Sequence, residues 1–327
     1  MRHGQAISGR ESHHLLPGSD ATEVHDSART ISSREAAIRF YLNAALSENT
    51  QRAYQSDLRA VSDWGATFPI GAIELASYLS DQAAWLSPYT LTRRMSAVRR
   101  AHVGMGQPDP TAHPLVRNVL AGIWRTHGRP QRRARALSMN EIETMLPLML
   151  GLRGLRDRAL TLLAFRAALR RSELVGINVE DLGFSHDGLL LHIRRSKSDQ
   201  RSLGRIVAVP YAVSEVCAVR ALQHWLAESH VEAGPVFQSI SRAGQLKGRL
   251  SAQSVGLIVK AYAKTVGLEE CGLSAHSLRA GFVTAAINAG ASVHAIQRQT
   301  GHKSIETLYK YVRTGNPFLG NANKGID

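Results

Sequence analysis

The sequence predicts a mainly α-helical protein with a small antiparallel β-sheet in its second half. Three observations lead to that class. Apolar residues recur at steps of three and four over much of the chain, the spacing of helices with one buried face. One pair of runs rich in aliphatic residues, many of them β-branched, GLLLHIRRSK (188–197) and RIVAVPY (205–211), is bridged by the polar SDQRSLG, as in a β-hairpin. A chain of 327 residues without an internal repeat is long enough for two domains, each with its own core.

In chain order, residues 1–33 hold no aromatic side chain and are rich in Ser, His and Gly, the composition of a mobile tail. Helical signals begin near Ser33. In ENTQRAYQSDLRAVSDWG, Tyr54, Leu58 and Val61 share a face. In LTRRMSAVRRAH, Leu91, Met95 and Val98 do, with Arg93, Arg94, Arg99 and Arg100 expected away from it as a phosphate-tracking surface. These helices make a first domain over 34–127. Residues 128–137, inside RTHGRPQRRARALS, are basic and contain Gly and Pro. They read as a linker whose Arg132, Arg133 and Arg135 follow a nucleic-acid backbone. Ser138 and Glu141 form an S-x-x-E capping box that opens the helix MNEIETMLPLML and a second domain, 138–315. The helices RDRALTLLAFRAAL, AVSEVCAVRALQHWLAES, SAQSVGLIVKAYAKTVG and SAHSLRAGFVTAAINAG follow, with the hairpin between the first two. Residues 316–327 are a short polar tail.

Charge narrows the partners. Forty Lys and Arg against 26 Asp and Glu leave a net charge of +14, which makes nucleic acid the expected partner ahead of an anionic membrane surface. No apolar run approaches the ~18 residues of a membrane span and no secretory signal is visible, so a soluble, cytoplasmic protein is expected. Cys217 and Cys271 have no metal-ligand spacing and suit a reducing compartment. No Gly-rich phosphate loop, zinc motif or G-x-S-x-G elbow occurs, which removes nucleotide hydrolysis, metalloprotease and serine-hydrolase chemistry; neither a cofactor nor a metal is expected.

What remains is a set of cations with a tyrosine. In HSLR, His276 and Arg279 stand three apart on a helix and can converge on one ligand. The other H-x-x-R, His192 to Arg195, falls in an expected strand, where the odd spacing sends its side chains to opposite faces. In ALRRSELVGI, Arg170 and Arg171 follow an apolar helix, and Glu173 is placed to orient one of them. Lys197 lies near the hairpin tip. In RQTGHKSIETLYKYVR, Ile305, Leu308, Tyr309 and Val312 make an apolar stripe, while Ser304, Thr307 and Tyr311 make a polar one. Tyr311 is therefore the tyrosine whose hydroxyl faces a solvent-filled site, and Tyr309 belongs to the core. On one unbroken helix the nine-residue step from His302 to Tyr311 turns through about 900°, putting them on opposite faces. Gly301 and Ser304 point to a break that permits convergence.

Taken in order, ALRRSEL, SKSDQ, HSLR, TGH and a tyrosine nine residues after the last histidine resemble the tyrosine recombinase (phage integrase) family. The resemblance covers about 138–315 and extends through SENTQRAYQSDL to the family's helical core-binding domain. It implies that Arg170 and Arg279 are the catalytic arginines, Lys197 the hairpin lysine, His276 and His302 the histidines, Tyr311 the nucleophile and Glu173 a supporting residue. Two departures stand out: Ala168 where the family usually has glycine, and Thr300 where an apolar residue often precedes Gly-His. The resemblance further implies double-stranded DNA with inverted-repeat sites, a homotetramer on paired sites at the nucleoid, and a C-terminal tail packing on a neighbouring subunit through Phe318. Base contacts are expected from Gln51–Asp63, Thr90–His102 and the helix start at Gln253.

Such an enzyme exchanges a phosphodiester for a phosphotyrosine of similar energy, so no ATP is needed. The arginines supply bidentate donors to the attacked phosphate, the histidines hydrogen-bond it, and Lys197 protonates the leaving 5′ oxygen. The expected function is site-specific recombination. The alternatives are type IB topoisomerase-like relaxation, a telomere resolvase, or a catalytically silent DNA-binding regulator on the same scaffold.

Overall fold

The computed structural model describes residues 36, 37, 40, 41, 45–130, 134–194, 204–268, 272–302, 304–306 and 308. They fall into two compact units, divided between residues 131 and 132.

Among the described residues, helices α1 (Glu48–Asp63), α2 (Ala72–Gln82), α3 (Pro88–Gly104) and α4 (Pro114–His127) build the first unit. Serines start two of them: Ser47 Oγ accepts the Thr50 N–H at 3.3 Å, and Ser87 Oγ accepts that of Thr90 at 3.2 Å. Pro88 takes the first helical position of α3, where a missing N–H costs nothing. The core gathers Val61, Leu75, Leu79, Leu91, Met95 and Val98. Val61 and the α3 stripe are buried as their periodicity requires, while Tyr54 and Leu58 are only half-buried.

Arg94 departs from its expected outward placement. It lies three residues after Leu91 and four before Val98, so it shares their face and its side chain is only 14 % exposed. Asp57, three residues after Tyr54 and four before Val61, is buried on the facing stripe and pairs with Arg93 at 2.8 Å and Arg94 at 3.6 Å. Arg94 also donates to the Tyr78 hydroxyl. Burial pushes the Asp57 carboxyl above its ordinary range, against the pull of both arginines. His102, inside a segment expected to contact bases, is likewise a core residue: Nε2 accepts the Ile70 N–H at 3.1 Å and Nδ1 donates to Pro108 O at 2.8 Å.

The second unit begins at the capping box. Ser138 Oγ accepts the Glu141 N–H while Glu141 accepts the Ser138 N–H at 2.8 Å, which starts α5 (Met139–Met145). The helix expected to run on through Leu150 ends here, in a 3₁₀ turn at Leu146–Leu148 that contains Pro147. Next come α6 (Gly151–Arg166) and α7 (Arg171–Gly176). Then follow β1 (Leu182–Phe184), β2 (Gly188–Ile193), β3 (Arg205–Pro210), α8 (Ala218–Ser229), β4 (Gln238–Ile240), β5 (Leu246–Arg249), α9 (Ala252–Thr265), α10 (Ala275–Asn288) and α11 (Val293–Thr300). The expected hairpin is β2–β3, antiparallel from Gly188↔Pro210 to Ile193↔Arg205. Two features go beyond it: β1 adds a third strand, and β4–β5 form a separate two-stranded sheet. Their strands are three or four residues long, too short for an alternation to stand out from a loop. Helix α8 starts at Ala218 rather than Ala212, because the Cys217 sulfur caps the Ala212 N–H at 3.3 Å in a non-helical turn.

Helix α6 is the central element, buried from Ala159 to Phe165. Helix α10 sits close to the segment before α5 because residue 281 is glycine: a Cβ there would lie 1.9 Å from Leu137 O. The Leu137 N–H donates to Ser277 O at 3.0 Å, fixing the same approach. That approach sets the position of the turn carrying His276 and Arg279. No helix among the described residues is long and apolar enough to cross a membrane.

Candidate active site

The site is assembled from the ends of elements. Helix α6 stops at Ala167, and Ala168 turns the chain in the left-handed region, φ 49°. This is the position where glycine was the expected residue, and a Cβ in this conformation costs about 1–2 kcal/mol. The turn aims the Ala168 carbonyl at α10, where it accepts from Arg279 Nη1 at 2.6 Å.

Arg170 follows as the residue before α7. Glu173, its side chain 1 % exposed, accepts the Arg170 backbone N–H at 2.9 Å and Arg170 Nη1 at 2.5 Å. Arg170 therefore occupies the cap position. Arg170 Nη2 reaches Gly301 O at 3.4 Å. Arg279, 2 % exposed, places Nη2 at 3.1 Å from His302 Nε2 and 3.4 Å from Nδ1. That near-equality puts the guanidinium against the ring rather than in line with either nitrogen. Burial, then Arg279, Arg170, His276 and Arg205, hold the His302 ring down to about 3.

Gly301 closes α11 with φ 65° just before His302, and residues 302 and 304 are non-helical, which is the break that the sequence pattern indicates after His302. Residues 305, 306 and 308 are helical beyond it. Leu308 is buried beside Val283 and Ile296, whereas Ile305, expected on the same stripe, is 39 % exposed. Three residues on a helix leave a 60° offset, enough to put Ile305 at the edge of that face.

The structure thus brings together Arg170, Glu173, Arg279 and His302. His276, exposed on the first turn of α10, is near enough to His302 for its charge to act on that ring. Lys197 and Tyr311, with Tyr309, Arg132, Arg133 and Phe318, lie outside the described residues. Arg93, Arg99 and Arg100 are exposed on α3, and Arg99 pairs with Asp109 at 3.4 Å. Arg135 pairs with Glu141, and Gln253 is exposed on the first turn of α9.

One functional neighbour escapes the sequence motifs. Arg205, the first residue of β3, donates to Glu173 Oε2 at 3.1 Å and to Gln299 O at 2.7 Å. Its guanidinium fills the space beneath Gly301, where a Cβ would meet Nε at 2.9 Å. Burial pulls its pKa below the usual arginine range, opposed by Glu173. A signal was present: Arg205, Val207 and Val209 alternate on one face of the strand, so a cation there points inward. Arg170 and Arg205 share one carboxylate, Glu173, while Arg279 meets Arg170 at the Gly301–His302 turn. The described site is net cationic and fits an anion.

Known proteins share this fold. Solved structures with the same fold include the Tn1549 transposon integrase in complex with circular intermediate DNA (TM-score 0.59, 18 % identity, covering 84 % of this chain and 92 % of that one). A lambda integrase dimer bound to a COC′ core site is similar too (TM-score 0.57, 18 % identity, 86 % and 94 % covered). Residues 135–316 match the phage integrase family, and residues 37–104 match the phage integrase N-terminal SAM-like domain. The integrase/recombinase xerD homolog of Selenomonas ruminantium is 38 % identical over 293 residues, 86 % of each protein. The tyrosine recombinase XerD of Xanthomonas axonopodis pv. citri is 28 % identical over 306 residues, 86 % of this chain and 92 % of its own. The chain belongs to the phage integrase family and is a tyrosine recombinase, an enzyme of site-specific DNA recombination.

Proposed function

We propose that this recombinase cuts DNA through a covalent 3′-phosphotyrosine on Tyr311, acting as a homotetramer on paired inverted-repeat sites in the cytoplasm, at the nucleoid. The Tyr311 oxygen, its proton passing to solvent, attacks the scissile phosphorus, the bond to the 5′ oxygen breaks, and Lys197 gives that oxygen its proton. Arg170 and Arg279 hold the non-bridging oxygens, whose charge grows in the transition state. His276 and His302 hydrogen-bond the same oxygens. Attack by a 5′ hydroxyl of the second duplex reverses the step and releases the tyrosine.

One observation carries this reading: two guanidinium groups from separate elements converge on the Gly301–His302 turn, nine residues before Tyr311. The charge balance supports it, since two arginines that share one carboxylate, with Arg279 beside the same turn, suit an arriving phosphodiester. Arg93, Arg99, Arg100, Arg132, Arg133 and Arg135 are proposed to track the backbone, with base contacts from the α9 start at Gln253. Arg94 is assigned instead to the pairing with Asp57.

The test uses a nicked duplex that traps the covalent adduct, resolved on a denaturing gel. Tyr311→Phe is expected to give no adduct while binding DNA within a few-fold of wild type, and Tyr309→Phe to keep it. Adduct from Tyr311→Phe and none from Tyr309→Phe would reverse the assignment. Loss of cleavage in excess EDTA, restored by magnesium, would refute the cation-only mechanism.

A further inference from the structure

Thr300 departs from the apolar residue expected before Gly-His, and the structure gives its hydroxyl a partner. The residue is fully buried at the end of α11. The left-handed turn at Gly301 folds the next side chain back, so that Thr300 Oγ1 lies 2.7 Å from His302 Nδ1. The same oxygen lies 2.7 Å from Ile296 O, one helical turn earlier, and 3.4 Å from Gln297 O. A hydroxyl has one hydrogen and two lone pairs. Carbonyls only accept, so the hydrogen goes to Ile296 O and a lone pair remains for the ring. The ring must then carry its hydrogen on Nδ1. Gln297 Nε2 donates to His302 O at 2.9 Å and steadies the backbone of the same residue.

We infer that Thr300 is a positioning residue: its hydroxyl orients the His302 ring, fixes the tautomer with hydrogen on Nδ1, and leaves Nε2, beside Arg279 Nη2 at 3.1 Å, as the nitrogen that meets the scissile phosphate. This rests on the proposed role of His302 at that phosphate. An anionic oxygen facing Nε2 calls for an N–H there, so the ring takes a second proton from solvent as the phosphate arrives. The neighbouring Arg279, Arg170, Arg205 and His276 oppose that proton in the empty site, Glu173 favours it, and the phosphodiester charge tips the balance. Thr300 remains an acceptor in both states, because Nδ1 keeps its hydrogen throughout.

The experiment compares Thr300→Val with Thr300→Ser in the full-length protein on the nicked duplex. Valine keeps the shape and loses the hydroxyl; serine keeps the hydroxyl and loses the methyl. Cleavage is expected to fall about tenfold in Thr300→Val, the size of one lost hydrogen bond, and to stay near wild type in Thr300→Ser. Nitrogen-15 spectra of histidine-labelled wild type should show His302 with hydrogen on Nδ1 in the free enzyme, and on both nitrogens with DNA bound. The reverse ranking, with serine impaired and valine active, would make Thr300 a packing residue and overturn the inference, as would a free-enzyme ring with its hydrogen on Nε2. His302→Ala separates this from the parent reading. Wild-type cleavage by His302→Ala defeats the proposed site, whereas a cleavage defect there beside a fully active Thr300→Val defeats only the role of Thr300.

Discussion

Replacing Glu173 by glutamine tests how the site is held. The carboxylate takes three donors: the Arg170 N–H and Arg205 Nη2 on Oε2, and Arg170 Nη1 on Oε1. A glutamine oxygen can serve the first two. Its amide nitrogen must then face Arg170 Nη1, donor against donor. The exposures are low, 1 % for Glu173, 16 % for Arg170 and 18 % for Arg205, so solvent screens little of the effect. Removing one partner of a buried pair costs about 3–5 kcal/mol, and the catalytic unit should lose about that much in Glu173→Gln. Arg205→Gln should cost less, because Glu173 keeps Arg170 and a buried cation is gone. In the double variant the surviving conflict is smaller, so the loss should fall short of the sum by about 1–3 kcal/mol. Trp225 is the one tryptophan of the second unit. Urea unfolding followed by fluorine NMR of 5-fluorotryptophan at that position therefore reads this unit alone. A loss under about 1 kcal/mol in Glu173→Gln, or additivity within about 0.5 kcal/mol, would refute the shared-carboxylate account.

Ala168→Gly should stabilise the second unit by about 0.5–1 kcal/mol, by relieving the left-handed alanine at some entropic cost; the Trp225 signal measures this too. His302 is held down to about 3 against 6.5 for a free ring. Between those values the unfolded chain binds the extra proton, so this group lowers folded stability as pH falls through that window and contributes nothing above it. His302→Gln should flatten the corresponding part of the stability–pH curve. DNA affinity should drop ~10³-fold or more between 50 and 200 mM salt if about 6–10 phosphates are neutralised, and a slope near zero in a binding titration would exclude the backbone-tracking arginines. Lys197→Ala should slow cleavage ~10²–10⁴-fold. A bridging 5′ sulfur, which leaves without a proton, should rescue that variant and not Arg170→Ala or Arg279→Ala.

How much of this was legible depended on the range of the signal. The capping box at Ser138 and Glu141, the hairpin and the α3 stripe rest on neighbours within a few residues, and each formed. Asp57 and Arg94 are a harder case, because either reads as a surface charge until both helical stripes are drawn and each is found to carry one member. Arg205 left a local trace in strand alternation, but its partners Glu173 and Gln299 are 32 and 94 residues away. Only tertiary packing could name them. Thr300 stood out as a departure, yet the turn at Gly301 had to be seen before its hydroxyl acquired a partner.

The choice of partners explains how a buried cluster of arginines can remain ready for an anion. Arg279 donates to Ala168 O, just beyond the end of α6; Arg205 and Arg170 donate to Gln299 O and Gly301 O, at the end of α11. The last carbonyls of a helix lack intrahelical donors and carry only a partial negative charge. A guanidinium satisfies such an oxygen, and is aimed by it, without being neutralised. A second carboxylate in the same place would hold the arginine as firmly and cancel the charge a phosphodiester needs. Glu173 is placed where one full charge fixes two cations at once, so positive charge still exceeds negative among these groups. The left-handed turns at Ala168 and Gly301 are part of the same device, since each ends a helix and turns a carbonyl toward a guanidinium. Strain at Ala168 is therefore the conformational cost of aiming Arg279, and the site draws its geometry from helix ends rather than from additional ion pairs.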